Sequence, residues 1–270
     1  MVVWTVANQK GGVGKTTTTV ALAGLAAEQG QRVLLLDLDP HGSLTSYFRQ
    51  DPDTLENSSF KLFSERQDLS LALLDRLILP SVYPGVDMIG AGTALATLER
   101  RAVGQDGLGL VVKRALALLQ QQYELVVIDT PPLLGVLLVN ALAACHQLLI
   151  PVQTEFLALK GLERMIHTLK MMARSRQYET RYTIVPVMFD KRTHASVSSL
   201  QALRHDYSEN IWPGRIPIDT KLRDASRQGL PPHAQAPDSR AVQAYRSLFK
   251  YLQQQQSDSA TRVQAAGAER

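Results

Sequence analysis

The chain has 270 residues, of which 45% are hydrophobic, and it carries a formal net charge of +4. This length and composition predict one large domain with a substantial core rather than two independent domains. The single cysteine, Cys145, excludes an intrachain disulfide and any Cys-rich metal site, which favours a reducing compartment. We expect Cys145 to be a small buried residue. The N-terminus predicts a strand rather than a signal peptide, and the most apolar stretch, residues 133–139, is too short to cross a bilayer.

Short apolar runs alternate with helical patterns along the chain. We predict strands over residues 4–7, 32–37, 125–129, 147–151 and 182–188. Helices are predicted over residues 16–29 and 107–122, and residues 51–80 are expected to hold loops and short helices. Apolar strands alternating with helices predict an α/β fold, a mostly parallel twisted sheet with helices on both faces. We assign residues 1–252 to this domain and predict that residues 253–270, which are rich in Gln, Ser and Ala, form a disordered tail.

A glycine-rich loop follows the first predicted strand and opens the first predicted helix. Residues 8–17 read NQKGGVGKTT, which departs from the usual phosphate-loop spacing because Gln9 stands at the first glycine position. The physical requirement is still met, since the glycines let backbone N–H groups turn toward a phosphate and the helix presents its N-terminus to the anion. Lys15 is expected to reach the β and γ oxygens, and Thr16 to bind Mg²⁺ through its hydroxyl.

Two further segments place carboxylates at strand ends, where ligands of α/β proteins bind. Residues 32–40 form an apolar run that ends in Asp37 and Asp39, and residues 124–132 deliver Asp129 before Thr-Pro-Pro. Asp129 is suited to holding Mg²⁺ through its water shell. A structural alternative for Asp37 and Asp39 is that each side chain caps the segment that follows it.

The three segments together resemble the deviant Walker A P-loop NTPases of the ParA/MinD superfamily, and most closely the ParA/Soj partition ATPases. The resemblance runs from about residue 2 to residue 252. It implies that Lys10 reaches the nucleotide of a partner subunit in an ATP-dependent sandwich dimer. It also implies that Asp39 orients the attacking water and that Asp37 lies near Mg²⁺. The alternative for Lys10 is an ordinary solvated loop lysine.

The site residues expected from the motifs and the resemblance fall into three sets. The catalytic set is Lys10, Lys15 and Asp39. The nucleotide-binding set is Lys10, Gly11, Gly12, Val13, Gly14, Lys15, Thr16, Thr17 and Pro217. The metal set is Thr16, Asp37 and Asp129.

The C-terminal third of the chain is basic. From residue 160 to residue 250 there are 16 Lys and Arg residues against 8 Asp and Glu residues. Residues 188–193 resemble the partition ATPase segment whose arginine contacts nonspecific DNA, and that arginine is Arg192. The expected DNA-binding set, which would contact phosphates and not bases, is Lys191, Arg192, Arg215, Lys221 and Arg223. The alternative is a solvated charged face without a ligand.

Two segments depart from the family pattern. The chain has His-Gly-Ser at residues 41–43 where relatives have Gln-Gly-Asn, and Ile-Asp at 218–219 where they have Arg-Asn. The second change falls in the loop expected to cover the nucleotide base, and it removes one basic residue. We expect His41 to be structural or part of a switch loop, because phosphoryl transfer needs positioning and charge more than proton abstraction.

The resemblance implies ATP and Mg²⁺ as cofactors, ATP hydrolysis, a homodimer, nonspecific DNA and a stimulating protein, either ParB-like or a cargo adaptor. It implies a cytoplasmic, nucleoid-associated protein that positions a chromosome, a plasmid or a protein assembly. A MinD-like membrane-associated ATPase remains an alternative, although the last residues lack an apolar and basic face. An amidoligase of related fold also remains open. A protein with a bridging metal cluster does not fit one cysteine per chain.

Overall fold

The structure is a computed structural model that describes residues 1–101, 108–176 and 180–268. The strands are β1 (Val2–Val6), β2 (Val33–Asp37), β3 (Ile78–Pro80), β4 (Val86–Ile89), β5 (Leu125–Asp129), β6 (Gln147–Gln153) and β7 (Tyr182–Val187). The first six helices are α1 (Lys15–Glu28), α2 (Ser43–Tyr47), α3 (Phe60–Ser64), α4 (Leu71–Leu77), α5 (Leu95–Arg101) and α6 (Val111–Leu118). The others are α7 (Val136–Ala144), α8 (Phe156–Arg176), α9 (His194–Asp206), α10 (Lys221–Gln228), α11 (Pro232–Gln235) and α12 (Arg240–Ala268), and a 3₁₀ turn at Leu108–Leu110 precedes α6.

The strands form one seven-stranded sheet in the order β3-β4-β2-β5-β1-β6-β7. All neighbouring strands are parallel except β3 and β4, which are antiparallel. In a parallel sheet the carboxyl ends of the strands lie along one edge, so the loops that follow β1, β2, β5 and β6 are brought together there. The fold is the mostly parallel P-loop NTPase sheet that the sequence predicted.

Two apolar clusters cover the two faces of the sheet. Successive residues of β2 point to opposite faces of the sheet. Leu34 and Leu36 belong to one cluster, and Val33 and Leu35 belong to the other. This is the period of two expected for a strand buried on both faces. Cys145 is buried in the first cluster, as the sequence predicted.

The five predicted strands are all present, with ends shifted by at most a few residues, and two short strands were not predicted. The β3 strand has three residues and ends in Pro80, and β4 contains Asp87, so neither is a plain apolar run. The Asp87 carboxylate is accommodated in the sheet, since its Oδ2 accepts a hydrogen bond from the Tyr123 hydroxyl at 2.8 Å. The helix predicted over residues 107–122 is α6 with the turn before it, and its residue 107 lies outside the described residues.

The C-terminal segment differs from the prediction of a disordered tail. The structure continues α12 through it as far as Ala268. Gln and Ala have high helix propensity, so a helix that begins in the packed part of the chain can propagate without an apolar period. The division of the chain at residue 252 stays a prediction.

Candidate nucleotide-binding site

The glycine-rich loop connects β1 to α1 at the carboxyl edge of the sheet. Gly12 and Gly14 have φ values of 72° and 76°, a region that favours glycine. A Cβ atom built on Gly11, Gly12 or Gly14 would meet no heavy atom within 4 Å. The three glycines therefore border open space just before the N-terminus of α1. This arrangement fits a polyphosphate.

The loop is tied to the sheet at both ends. The Asn8 side chain donates to the Pro151 carbonyl at 2.7 Å and accepts from the Lys10 N–H at 2.9 Å. Val13 is fully buried, and Lys15 starts α1 with only 8% of its surface exposed. Thr16 and Thr17 follow in the first turn and are half-buried. The predicted phosphate-binding residues thus form one continuous loop and helix start.

Thr16 and Asp129 meet across this loop. The Thr16 hydroxyl donates to Asp129 Oδ2 at 2.6 Å, and Asp129 ends β5 beside β1. Asp129 is nearly fully buried, and its Oδ1 atom has no hydrogen-bond partner. A buried carboxylate oxygen without a partner is costly unless a cation or its water shell satisfies it. The pair therefore fits Mg²⁺, which takes one or two protein oxygens together with phosphates and water.

No group of three His, Cys, Asp or Glu side chains among the described residues has a metal-binding arrangement.

Asp37 and Asp129 are register partners on β2 and β5. Burial raises the pKa of Asp129, and the neighbouring Asp37 carboxylate raises it further, while Thr16 and Lys15 act in the opposite direction. Burial also raises the pKa of Asp37, against the hydrogen bonds from Thr45. A divalent cation placed here would favour the ionised form of both carboxyls.

Asp37 accepts three hydrogen bonds from donors of its own chain. Its Oδ2 accepts from the Thr45 N–H at 2.9 Å and from the Thr45 hydroxyl at 2.7 Å, and its Oδ1 accepts from the Asp39 N–H at 3.0 Å. The carboxylate therefore holds the loop between β2 and α2. Its assignment to the metal set stays a prediction.

Asp39 lies two residues further along this loop and is nearly buried. Its Oδ1 accepts from the His41 N–H at 3.0 Å and contacts His41 Nδ1 at 2.9 Å. The His41 ring is 77% exposed. His41 thus supports the loop beside Asp39, and the water-orienting role of Asp39 stays a prediction.

Lys10 opens the loop and contacts the end of β6. Its ammonium group donates to Gln153 Oε1 at 2.6 Å and forms an ion pair with Glu155. Sequence reasoning missed both partners, because residues 143 and 145 positions away carry no spacing signal for a contact.

Exposed apolar side chains lie in the loop after β5 and at the start of α8, which follows β6, at the same edge of the sheet. Leu133 and Leu134 are 59% and 43% exposed, and Phe156 and Leu157 are 67% and 73% exposed. The structure thus has large apolar side chains without cover around the nucleotide edge, which is typical of an interaction surface. The sequence analysis noted residues 133–139 only as an apolar stretch and did not predict that any of these side chains is exposed.

Part of the predicted DNA-binding set lines one concavity beyond β7. Lys191, Arg192 and Arg215 line a cavity of about 540 Å³ together with Pro217 and Arg240. The Arg215 guanidinium lies over the Phe189 ring, 4.7 Å from its centroid. The sequence analysis missed Arg240, because it is distant along the chain from the other lining residues and only the fold brings it beside them. Pro217 lies in this cavity, and its contact with a base stays a prediction.

Arg192 is paired within its own loop. Its guanidinium donates to both Asp190 carboxylate oxygens, at 2.9 and 2.7 Å, and 79% of the side chain is exposed. These hydrogen bonds lower the pKa of Asp190 to about 2. A phosphate would have to share Arg192 with Asp190. Lys221 and Arg223 lie apart from the cavity lining, exposed in the first turn of α10.

The phosphate loop, the buried Thr16–Asp129 pair and the parallel sheet define a P-loop NTPase. Comparison with known proteins agrees: the AAA domain family (AAA_31) matches residues 1–182. The sporulation initiation inhibitor protein Soj of Bacillus subtilis is 32% identical over 246 residues, which span 91% of this chain and 95% of that protein. The chromosome-partitioning ATPase Soj of Thermus thermophilus is 34% identical over 258 residues, 90% of this chain and 91% of that protein.

A solved structure of cobyrinic acid a,c-diamide synthase from Mycobacterium smegmatis, with bound ATP analog and magnesium, superposes with a TM-score of 0.80. It shares 30% identity and covers 96% of this chain and 97% of that chain. With the family match and the Soj relatives, the chain belongs to the AAA domain family and, within it, to the ParA/Soj-type partition ATPases of the ParA/MinD superfamily.

Proposed function

We propose that the chain is a Mg²⁺-dependent ATPase that pairs into a sandwich dimer on binding ATP, binds DNA without sequence preference and uses hydrolysis to position a chromosome, a plasmid or a protein assembly. The observation that carries the proposal is the Thr16–Asp129 pair beside the glycine loop, with its unpartnered buried oxygen. The cofactors are ATP and Mg²⁺, which supply the phosphoryl group and the charge that activates it.

The residues of the loop have separate tasks in this proposal. Lys15 lies beside the phosphates and neutralises charge on the transferred group, and Lys10 does the same for a partner subunit. Thr16 and Asp129 hold Mg²⁺, and Asp39 orients a water molecule for attack. Catalysis in this class is mainly positioning and electrostatic stabilisation, so a general base is not required.

ATP can drive pairing only through a higher affinity for the dimer than for the monomer. The exposed apolar residues beyond β5 and β6 support a surface that a second copy covers. A dimer carries two basic cavities and therefore binds DNA more tightly than a monomer, because the second contact becomes intramolecular. Hydrolysis would separate the pair and release the DNA.

No helix among the described residues has the length and apolarity needed to cross a bilayer. The proposed location is the cytoplasm, on the nucleoid. A partner that stimulates hydrolysis, ParB-like or a cargo adaptor, belongs to the proposal, and the cargo itself is left open.

A DNA mobility assay with ATP or ADP tests the proposal. We expect retardation with ATP only, and a loss of about tenfold or more for Arg192→Glu, because the variant reverses the charge at a phosphate contact. The control is Arg76→Glu, an exposed arginine on α4, which packs beside β3 at the sheet edge opposite β7.

Equal DNA binding by wild type and Arg192→Glu would remove this cavity from the proposal. Two alternatives, a synthetase similar to the diamide synthase and a membrane-associated ATPase, predict results that differ from these. A synthetase predicts ATP consumption that depends on a carboxylic acid substrate and no ATP-dependent DNA binding. A membrane ATPase predicts ATP-dependent sedimentation with anionic vesicles instead.

A further inference from the structure

The family-specific lysine is held by its own subunit. The Lys10 ammonium lies between Gln153 and Glu155, with a hydrogen bond of 2.6 Å to Gln153 Oε1 and an ion pair to Glu155. The Lys10 side chain is 38% exposed and that of Glu155 49% exposed. Solvent therefore reaches the pair, and an incoming anion can replace the carboxylate.

The position of this contact follows from the sheet. β1 and β6 are neighbours, and Asn8 fastens the start of the loop to Pro151. Gln153 ends β6, and the Glu155 N–H donates to the Gln153 carbonyl at 2.8 Å just before α8 begins. The Gln153 amide is also held, since its Nε2 contacts Met188 Sδ at 2.9 Å. The Gln153 side chain and the Glu155 backbone are thus held opposite Lys10.

This contact competes with the role that the proposed function gives to Lys10. A cation that serves the phosphates of a partner subunit cannot keep a full ion pair with Glu155 at the same time. We propose that Glu155 is a positioning residue that retains Lys10 in the unpaired subunit, so that pairing requires the partner's nucleotide to displace the Glu155 carboxylate. The inference rests on the proposed sandwich dimer.

The size of the effect follows from the exposure of the pair. A solvent-exposed ion pair of this kind changes an equilibrium by about 2- to 5-fold. Each dimer breaks two such pairs, so removal of the Glu155 charge is expected to tighten ATP-dependent pairing by about 4- to 25-fold. With an effect of this size, Glu155 raises the ATP concentration at which two subunits begin to pair, but it does not prevent pairing.

The first test needs no dimer. Nucleotide-free wild type and Glu155→Gln are labelled with trace acetic anhydride, and the modification rate of each lysine is read by peptide mass spectrometry. Lys10 is expected to react about 2- to 5-fold faster in the variant, with exposed Lys191 as internal reference. The matched control is Glu163→Gln, which removes the partner of Lys160 on α8 and should leave Lys10 unchanged. Equal Lys10 rates in wild type and Glu155→Gln overturn the inference.

The second test measures the dimer dissociation constant with Mg-ATP by sedimentation velocity. Tighter pairing in Glu155→Gln and no change in Glu163→Gln support the inference, whereas weaker or equal pairing in Glu155→Gln overturns it. If neither wild type nor Glu155→Gln pairs with ATP, the sandwich dimer is contradicted, and with it the effect of Glu155 on pairing. The labelling rates then still decide whether Glu155 holds Lys10.

Discussion

Thr45 connects three segments of the nucleotide edge through one side chain. Its hydroxyl donates to Asp37 Oδ2 and accepts from the Ala91 N–H, both at 2.7 Å, and its own N–H also donates to Asp37. Thr45 is fully buried. It therefore joins the end of β2, the start of α2 and the loop after β4, and it satisfies a carboxylate that would otherwise be costly to bury.

Replacement of the Thr45 hydroxyl tests this connection. Thr45→Val keeps the shape but removes one of the two donors to Asp37 Oδ2 and takes away the acceptor of the Ala91 N–H, so we expect the free energy of unfolding to fall by about 1–3 kcal/mol. Thr45→Ser keeps the hydroxyl and is the matched control, with a smaller loss. Urea denaturation gives both values. If Thr45→Val and Thr45→Ser lower the free energy of unfolding by the same amount, the Thr45 hydroxyl does not stabilise the Asp37 carboxylate.

The sequence predicted those parts of the site in which the residues are close along the chain. The loop was recognisable because its glycines, Lys15 and Thr16 are consecutive and their chemistry depends on that spacing. The contacts of Thr45 with Ala91 and of Lys10 with Glu155 join distant segments, and only the strand order brings them together. The hydrogen bonds that Asp37 accepts from Thr45 could not be foreseen either, because they depend on how the loop after β2 folds back.

At the scale of elements, α1 packs closely against α11 and the residue before it. A Cβ atom on Gly24 would lie 2.6 Å from His233 Cε1 and would also clash with the Pro231 ring. His233 cannot easily move away, because it is buried and its Nε2 atom is hydrogen bonded to the Tyr83 hydroxyl at 2.8 Å. Gly24 is thus required by packing rather than by backbone conformation.

Replacement of two helical glycines by alanine should change the free energy of unfolding in opposite directions. Gly24→Ala is expected to lower the free energy of unfolding by about 1–3 kcal/mol through overpacking. Gly161→Ala in α8 has no heavy atom within 4 Å of the new Cβ and should raise it by about 0.5–1 kcal/mol, the usual gain of alanine in a helix. Thermal and urea denaturation measure both. Stabilisation by Gly24→Ala would contradict the packing described.

Elements were predictable where their pattern is decided locally. β5, an uninterrupted apolar run ending in a carboxylate, was predicted with its observed bounds. β4 was missed because its Asp87 is accommodated by Tyr123, a partner from a distant segment. The C-terminal part of α12 was missed because the absence of an apolar period does not prevent a helix from continuing once it has begun.

At the scale of the whole molecule, the two proposed binding functions lie in neighbouring regions. Lys10 and Glu155 lie at the carboxyl edge beside β6, and the basic cavity lies beyond β7, the next strand. Gln153 contacts both Lys10 and Met188, the residue that follows β7. The fold therefore provides a short physical connection between the lysine proposed to serve a partner subunit and the surface proposed to bind DNA.

The central claim is that ATP joins two copies through Lys10. Size-exclusion chromatography with light scattering on Asp39→Ala tests it most directly, because loss of the carboxylate proposed to orient the attacking water should trap the ATP-bound state. We predict a dimer with Mg-ATP, a monomer with ADP, and a monomer with Mg-ATP when Lys10→Ala is added. The claim is contradicted if Asp39→Ala stays monomeric with Mg-ATP, or if the Lys10→Ala double variant dimerises as well as the single variant.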